Sequence, residues 1–177
     1  MSSISFSEIY SSFFTKIEGY DLFDPSLSEE TRNEFLCSYL HSALSDRYVS
    51  QLFSSITVID PEVITDEEGS YVIDGNIDYI LKYVNDDFSD KHFVVEVLAY
   101  GMALAWVTPK VNSLVNMQML ISDSQTKFFS QKNHIDGLRS LRDDLENKRN
   151  NLIAMRGFVN NSYLDGASAA STLRSTS

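Results

Sequence analysis

The sequence predicts a mainly α-helical fold, a helical bundle around one buried central helix, on three observations. Residues 92–107, HFVVEVLAYGMALAWV, are apolar except at His92, Glu96 and the small Gly101, and a helix without a polar face has to be buried. Residues 126–158 carry apolar side chains mostly three and four apart, the spacing of a single helical seam. Residues 1–45 also set their aromatic and aliphatic side chains at helical intervals. One β element is expected beside these helices, a small hairpin at about 63–73.

Taken in order, Ser5 and Glu8 have capping-box spacing, and Phe6, Ile9, Tyr10, Phe13, Phe14 and Ile17 share one face of a first helix. Gly19 and the DLFDPS stretch end it. Ser26 or Ser28 can cap a second helix, whose Glu29, Glu30 and Glu34 suit the positive end of its dipole. Phe35, Leu36, Tyr39, Leu40, Ala43 and Leu44 form its apolar stripe. Tyr48, Leu52, Phe53 and Ile56 extend that helix or start another, as far as Asp60-Pro61. Residues 63–73, VITDEEGSYVI, place two β-compatible runs around Asp66-Glu67-Glu68-Gly69, a hairpin or an acidic loop. Ile77, Ile80, Leu81 and Val84 mark a short helix, and NDDFSD turns the chain into the central rod with Ser89 and Asp90 as its caps.

The rod is expected to stop at Thr108-Pro109, because proline lacks the amide and disfavours helical geometry in the residue before it. At that length, and interrupted by Glu96, it is too short to cross a bilayer core of roughly 30 Å. Beyond Pro109 a helix continues through Val111, Leu114 and Val115 to Ile121, either kinked from the rod or begun afresh with Pro109 in its first turn. Residues 122–124 form a turn. The long C-terminal helix, about 126–158, then carries Phe128, Ile135, Leu138, Leu141, Leu145, Leu152, Met155 and Val159, with Lys148 the odd member of the seam. Such a seam packs on a neighbouring subunit or on the helix's own domain. Residues 160–177, NNSYLDGASAASTLRSTS, have no periodicity and read as a flexible, extended tail that orders on a partner, leaving 1–159 as one domain.

With 177 residues the chain can bury a real core. Its net charge of −11 argues against wrapping nucleic acid through phosphates, which requires a cationic surface. The charge is uneven: residues 1–96 hold 19 acidic against 5 basic side chains, whereas 127–156 hold 7 basic against 4 acidic. Two faces with different partners would produce this asymmetry, and so would an ordinary solvated surface. The single cysteine, Cys37, rules out an internal disulfide and fits a reducing compartment. The first residues lack the basic start of a signal peptide, so the expected place of synthesis is the cytosol, with no membrane partner.

Chemistry is sparse. There is no Gly-rich phosphate loop, paired cysteine ligand set, HExxH or GxSxG element, so neither an enzyme nor a cofactor is expected. His41, His92 and His134 are far apart in sequence. His92 and Glu96 stand one helical turn apart, but two ligands do not make a site of four, and a satisfied polar pair is the plainer reading. The acidic stretch 66–68 lacks the alternating oxygen ligands of a calcium loop. On the long helix Lys132, His134, Arg139, Arg142 and Arg149 are the candidates for a subunit or partner interface, with simple solvation as the alternative.

Residues 106–142 carry a pattern beyond composition: WVTPKVNS, then KFFSQKNHIDGLRSLRD. The pattern, formed by Trp106, Pro109, Lys110, Asn112, Ser113, Phe128, Ser130, Gln131, Asn133, His134, Leu138 and Leu141, resembles the head-to-tail connector (adaptor) proteins of tailed bacteriophages. The similarity spans about residues 75–155 and leaves 1–70 unplaced. It implies a non-enzymatic virion structural protein at the head-tail joint, assembled in the host cytoplasm. Such a subunit joins copies of itself into a ring, commonly a dodecamer, beneath the portal protein. The ring also meets a head-closure or tail protein, and DNA passes through its channel without specific binding. In such proteins a C-terminal segment often grips the portal, which makes Tyr163, Leu164, Leu173 and Arg174 the candidate contacts. The alternative is a cytosolic helical interaction or regulatory module with one protein partner.

Overall fold

In the computed structural model the described residues are 2–18, 20, 26–66, 69–120 and 125–159, with side chains described outside 63–72, 87, 114–133 and 158–159. The elements run β1 (Ser2–Ser5), α1 (Phe6–Lys16), α2 (Glu29–Ser45), α3 (Arg47–Ser50), β2 (Phe53–Ile59), β3 (Glu62–Asp66), β4 (Gly69–Ile73), β5 (Asn76–Leu81), α4 (Asp87–Leu120) and α5 (Gln125–Val159). A three-stranded antiparallel sheet has the order β1-β5-β2, and β3 and β4 pair as a separate antiparallel hairpin.

The fold class is therefore α+β, which corrects the expectation of a mainly α bundle. About 69% of the described structure is helical, yet the three-stranded sheet supplies Ile4, Phe53, Ile77, Tyr79 and Leu81 to the same core as the helices. The error lies in two segments. Ile77, Ile80, Leu81 and Val84 fit a helical spacing, but the chain reads with a period of two: Ile77, Tyr79 and Leu81 are buried while Ile80 is exposed. Short apolar runs satisfy both periods, and the β-branched and aromatic content of the segment was the better guide. Likewise Phe53 and Ile56 lie in β2, whose SSITVI run suits a pleated strand better than a continuation of α2.

Helix α1 begins as the sequence predicts. The Ser5 side chain accepts from the Glu8 amide and the Glu8 carboxylate accepts from the Ser5 amide, a reciprocal cap that satisfies two otherwise orphaned donors. Its inner face buries Phe6, Ile9 and Phe13. Ser28 caps α2, which buries Leu36, Leu40 and Ala43.

Helix α4 is the axis of the molecule and is far longer than the rod read from the sequence. Asp86, not Ser89 or Asp90, caps its start by accepting from the Ser89 amide. The helix then runs through Pro109 for 34 residues, about 50 Å. A proline inside a helix costs about 3 kcal/mol. Here the flanking turns are held by packing: Trp106, Val107 and Val111 are buried, while the Pro109 ring faces out. Helices α1, α2 and α5 all pack on α4. Phe88–Ser113 has the length and apolar composition to cross a membrane, contrary to the shorter rod expected, but 56% of its most apolar window is buried within the chain. At the α2–α4 crossing a Cβ on Gly101 would stand 2.7 Å from the Ala43 Cβ, so two small residues set how closely these helices approach.

Candidate functional site

Helix α5 has an inner and an outer face, and they divide the charged residues. Ile135, Leu138 and Leu145 are buried, and Leu141 and Leu152 are partly so. The seam then admits an arginine: Arg149, not Lys148, turns inward. Lys148 is exposed and pairs with Asp144 at 2.7 Å, one turn away. The Arg149 side chain is 6% exposed. Its Nη1 donates to Asp46 Oδ2 at 3.0 Å and its Nη2 to Asn150 Oδ1 at 3.4 Å. It forms one wall of an open cleft of about 310 Å³ between α2, α4 and α5, lined also by Ala43, Asp46, Gly101, Thr108 and Pro109. Two turns on, Arg156 donates to the buried Asp90 carboxylate and to the Tyr83 carbonyl, and its guanidinium lies 4.4 Å from the Phe93 ring centroid. Asp90 also accepts from the Asn85 amide. These bonds tie the last turns of α5 to the first turns of α4.

Near that tie four large apolar side chains are exposed among polar neighbours that include Asn85, Asp86 and Ser89. Tyr83, Val84, Phe88 and Met155 are 63%, 64%, 85% and 68% exposed. Tyr83 and Val84 lead into α4, Phe88 is in its first turn, and Met155 is the neighbour of Arg156.

The outer face of α5 holds the other predicted residues. His134 is exposed, Arg139 stands 3.7 Å from Asp136, and Arg142 pairs with the adjacent Asp143 at 2.8 Å. Those pairs are local and half exposed, so their contribution to folding is small. Arg149 belongs to a different environment, engaged within the chain rather than presented to a neighbour. The Lys132 side chain and all of Tyr163, Leu164, Leu173 and Arg174 lie outside the described residues, as do Glu67, Glu68 and the turn expected at 122–124.

Two ion pairs fasten α1 to α4: Lys91 to Glu8 at 2.6 Å and Lys16 to Glu96 at 2.7 Å. The Ser12 hydroxyl donates to Glu96 at 2.6 Å. Burial alone would raise the Glu96 carboxyl. The hydrogen bonds from Lys16 and Ser12, with the charges of Lys16 and His92, outweigh it and hold the group below its ordinary value. Glu96 is therefore occupied by α1, and His92 contributes only field.

Sequence reasoning missed a third cluster. Cys37 and His41 are four apart on α2 and project from one face, and Asp60, just after β2 and before Pro61, meets them. His41 Nε2 lies 2.8 Å and Cys37 Sγ 3.5 Å from Asp60 Oδ1. The three donor atoms lie within 4.8 Å of one another. Burial first, then the Asp60 carboxylate, push the Cys37 thiol up to about 11. A thiol so protonated at neutral pH is a poor nucleophile, which argues against a catalytic role. The buried Tyr10 hydroxyl faces Cys37 from α1 and has no hydrogen-bond partner of good geometry among the described residues. The legible signal was the i, i+4 spacing of Cys37 and His41; Asp60 is remote in sequence.

No family model matches the chain, and comparison with curated proteins and with solved structures returned no match.

Proposed function

We propose that the chain is a non-enzymatic subunit of the head-to-tail joint of a tailed phage, an adaptor that assembles as a ring on the portal and prolongs the DNA channel. The observation that carries this reading is the apolar end of the molecule, where Tyr83, Val84, Phe88 and Met155 stand in water around the Asp90–Arg156 tie. A neighbouring copy or the portal would cover these side chains. The resemblance in residues 106–142 supplies the kind of assembly. Of its residues with described side chains, Trp106 and Leu138 are buried and Leu141 is partly so, whereas Pro109, Lys110, Asn112, Ser113 and His134 are exposed, Lys110 lying over the Trp106 ring at 5.2 Å. The net charge of −11 suits a channel wall that DNA slides past, since like charge suppresses phosphate binding. Adaptor chemistry needs no catalytic group.

The test is co-expression with the portal protein of the same phage, followed by native mass spectrometry. A complex with many copies of this chain per portal ring is expected, and Phe88→Asp combined with Met155→Asp should abolish it while leaving the circular dichroism spectrum unchanged. Assembly that survives the double substitution would detach the apolar end from the function. A fixed one-to-one complex with a single cytosolic protein would instead favour a regulatory interaction module, which the same apolar end could equally serve.

A further inference from the structure

We propose that Cys37, His41 and Asp60 form a binding site for one divalent transition-metal cation of the zinc class, a clip that fastens the end of β2 to the middle of α2. Three observations support it. First, the donors are of three kinds and come from α2 and the turn after β2, with their ligand atoms within 4.8 Å of one another. No other group of three histidine, cysteine or acidic side chains converges in this way among the described residues. Second, the spacing suits tetrahedral coordination. Bonds of about 2.0–2.3 Å to zinc place tetrahedral donors about 3.3–3.6 Å apart. Cys37 Sγ and Asp60 Oδ1 already stand 3.5 Å apart, His41 Nε2 stands 2.8 Å from the same oxygen, and the third edge, between Cys37 and His41, is within 4.8 Å. The His41 and Asp60 side chains are about half exposed, so they are free to turn toward a shared ion. Third, the Tyr10 hydroxyl beside Cys37 is buried without a good partner. A metal-bound thiolate would be a stronger acceptor for it than the neutral thiol, in the position of the outer-shell donors that orient metal ligands.

Hydrogen bonding accounts for His41 and Asp60 as a pair but gives the thiol only a long contact with Asp60. Sulfur and imidazole together select zinc-class ions over magnesium or calcium, which take oxygen ligands. On binding, the Cys37 S–H bond breaks, its electron pair forms the sulfur–metal bond, and the proton passes to solvent; His41 binds as the neutral imidazole. Three protein ligands leave the fourth position to water. The residues involved include none from the apolar end, so this site stands or falls separately from the ring reading.

The experiment is titration of the purified full chain with Co(II) as a spectroscopic probe and with Zn(II) by calorimetry. One equivalent should bind, giving the intense visible bands of tetrahedral cobalt and a near-ultraviolet thiolate-to-cobalt band, which only Cys37 can supply. Cys37→Ser should remove the near-ultraviolet band, and His41→Ala and Asp60→Asn should each weaken Zn(II) binding by at least about tenfold. The latter two change half-exposed side chains and keep the test valid if Cys37→Ser fails to fold. Absence of saturable binding near one equivalent, a cobalt spectrum without the thiolate band, or Zn(II) affinity unchanged in His41→Ala and Asp60→Asn would each overturn the assignment.

Discussion

Arg149 and Arg156 on one side of α5, and Arg139 and Arg142 on the other, are the same residue type on the same helix, and their surroundings give them different work. The inner pair reach across the fold to carboxylates on other elements, Asp46 and Asp90, and are almost wholly buried. The outer pair reach one or three residues along their own helix and keep much of their surface in water. A charge taken out of water must be neutralised by a fixed partner, so the inner arginines are committed to this fold. The outer ones are available to something else. Positive charge on a helix is therefore a poor guide to an interface until its face is known.

The sharpest way to break this division is Arg156→Ala, which strands the Asp90 carboxylate in the core and should cost about 3–5 kcal/mol in urea unfolding. Converting both partners, Asp90→Leu with Arg156→Met, should recover most of that loss, because an apolar pair avoids the desolvation of two ions. A smaller effect is expected for Arg149→Ala, about 1–3 kcal/mol, since Asp46 keeps 29% of its side-chain surface exposed and can be rehydrated. Glu96 tests inward pairing through acid. Its carboxyl is held below the unfolded value, so its stabilisation is fully present above about pH 4.5 and is lost as pH falls through the lower folded value. Glu96→Gln should flatten the fall in melting temperature over that acid range. The smallest stability effect belongs to Arg139→Glu with Arg142→Glu, within about 0.5 kcal/mol. On the proposed function the same charge reversal should impair ring assembly, and normal rings would show those charges to be merely solvated.

How much was legible follows from the physics of each signal. The α1 cap, the stripe of α2, the β3–β4 hairpin and the long α5 were readable because each is a local pattern: a cap three residues long, or a period sustained over several turns. The strands β2 and β5 were not, because runs of six or seven residues fit two periods and only their pairing decides. The passage of α4 through Pro109 was hidden for a related reason. The local penalty of proline is visible in the sequence, whereas the packing of Trp106, Val107 and Val111 that outweighs it is tertiary. Among the candidate site residues, Arg149 looked like its neighbours on α5 because nothing near it in sequence announces Asp46. Cys37 and His41 carried a visible spacing, but their third partner, Asp60, joins them only in the fold.

The most direct test of the proposed adaptor role is cryo-electron microscopy of virus particles prepared from the source of this chain. The account predicts a symmetric ring of it between portal and tail, with Tyr83, Val84, Phe88 and Met155 buried against a neighbour and residues 160–177 ordered on the portal. Intact particles that lack the chain, or that contain it with this apolar end still facing solvent, would contradict it.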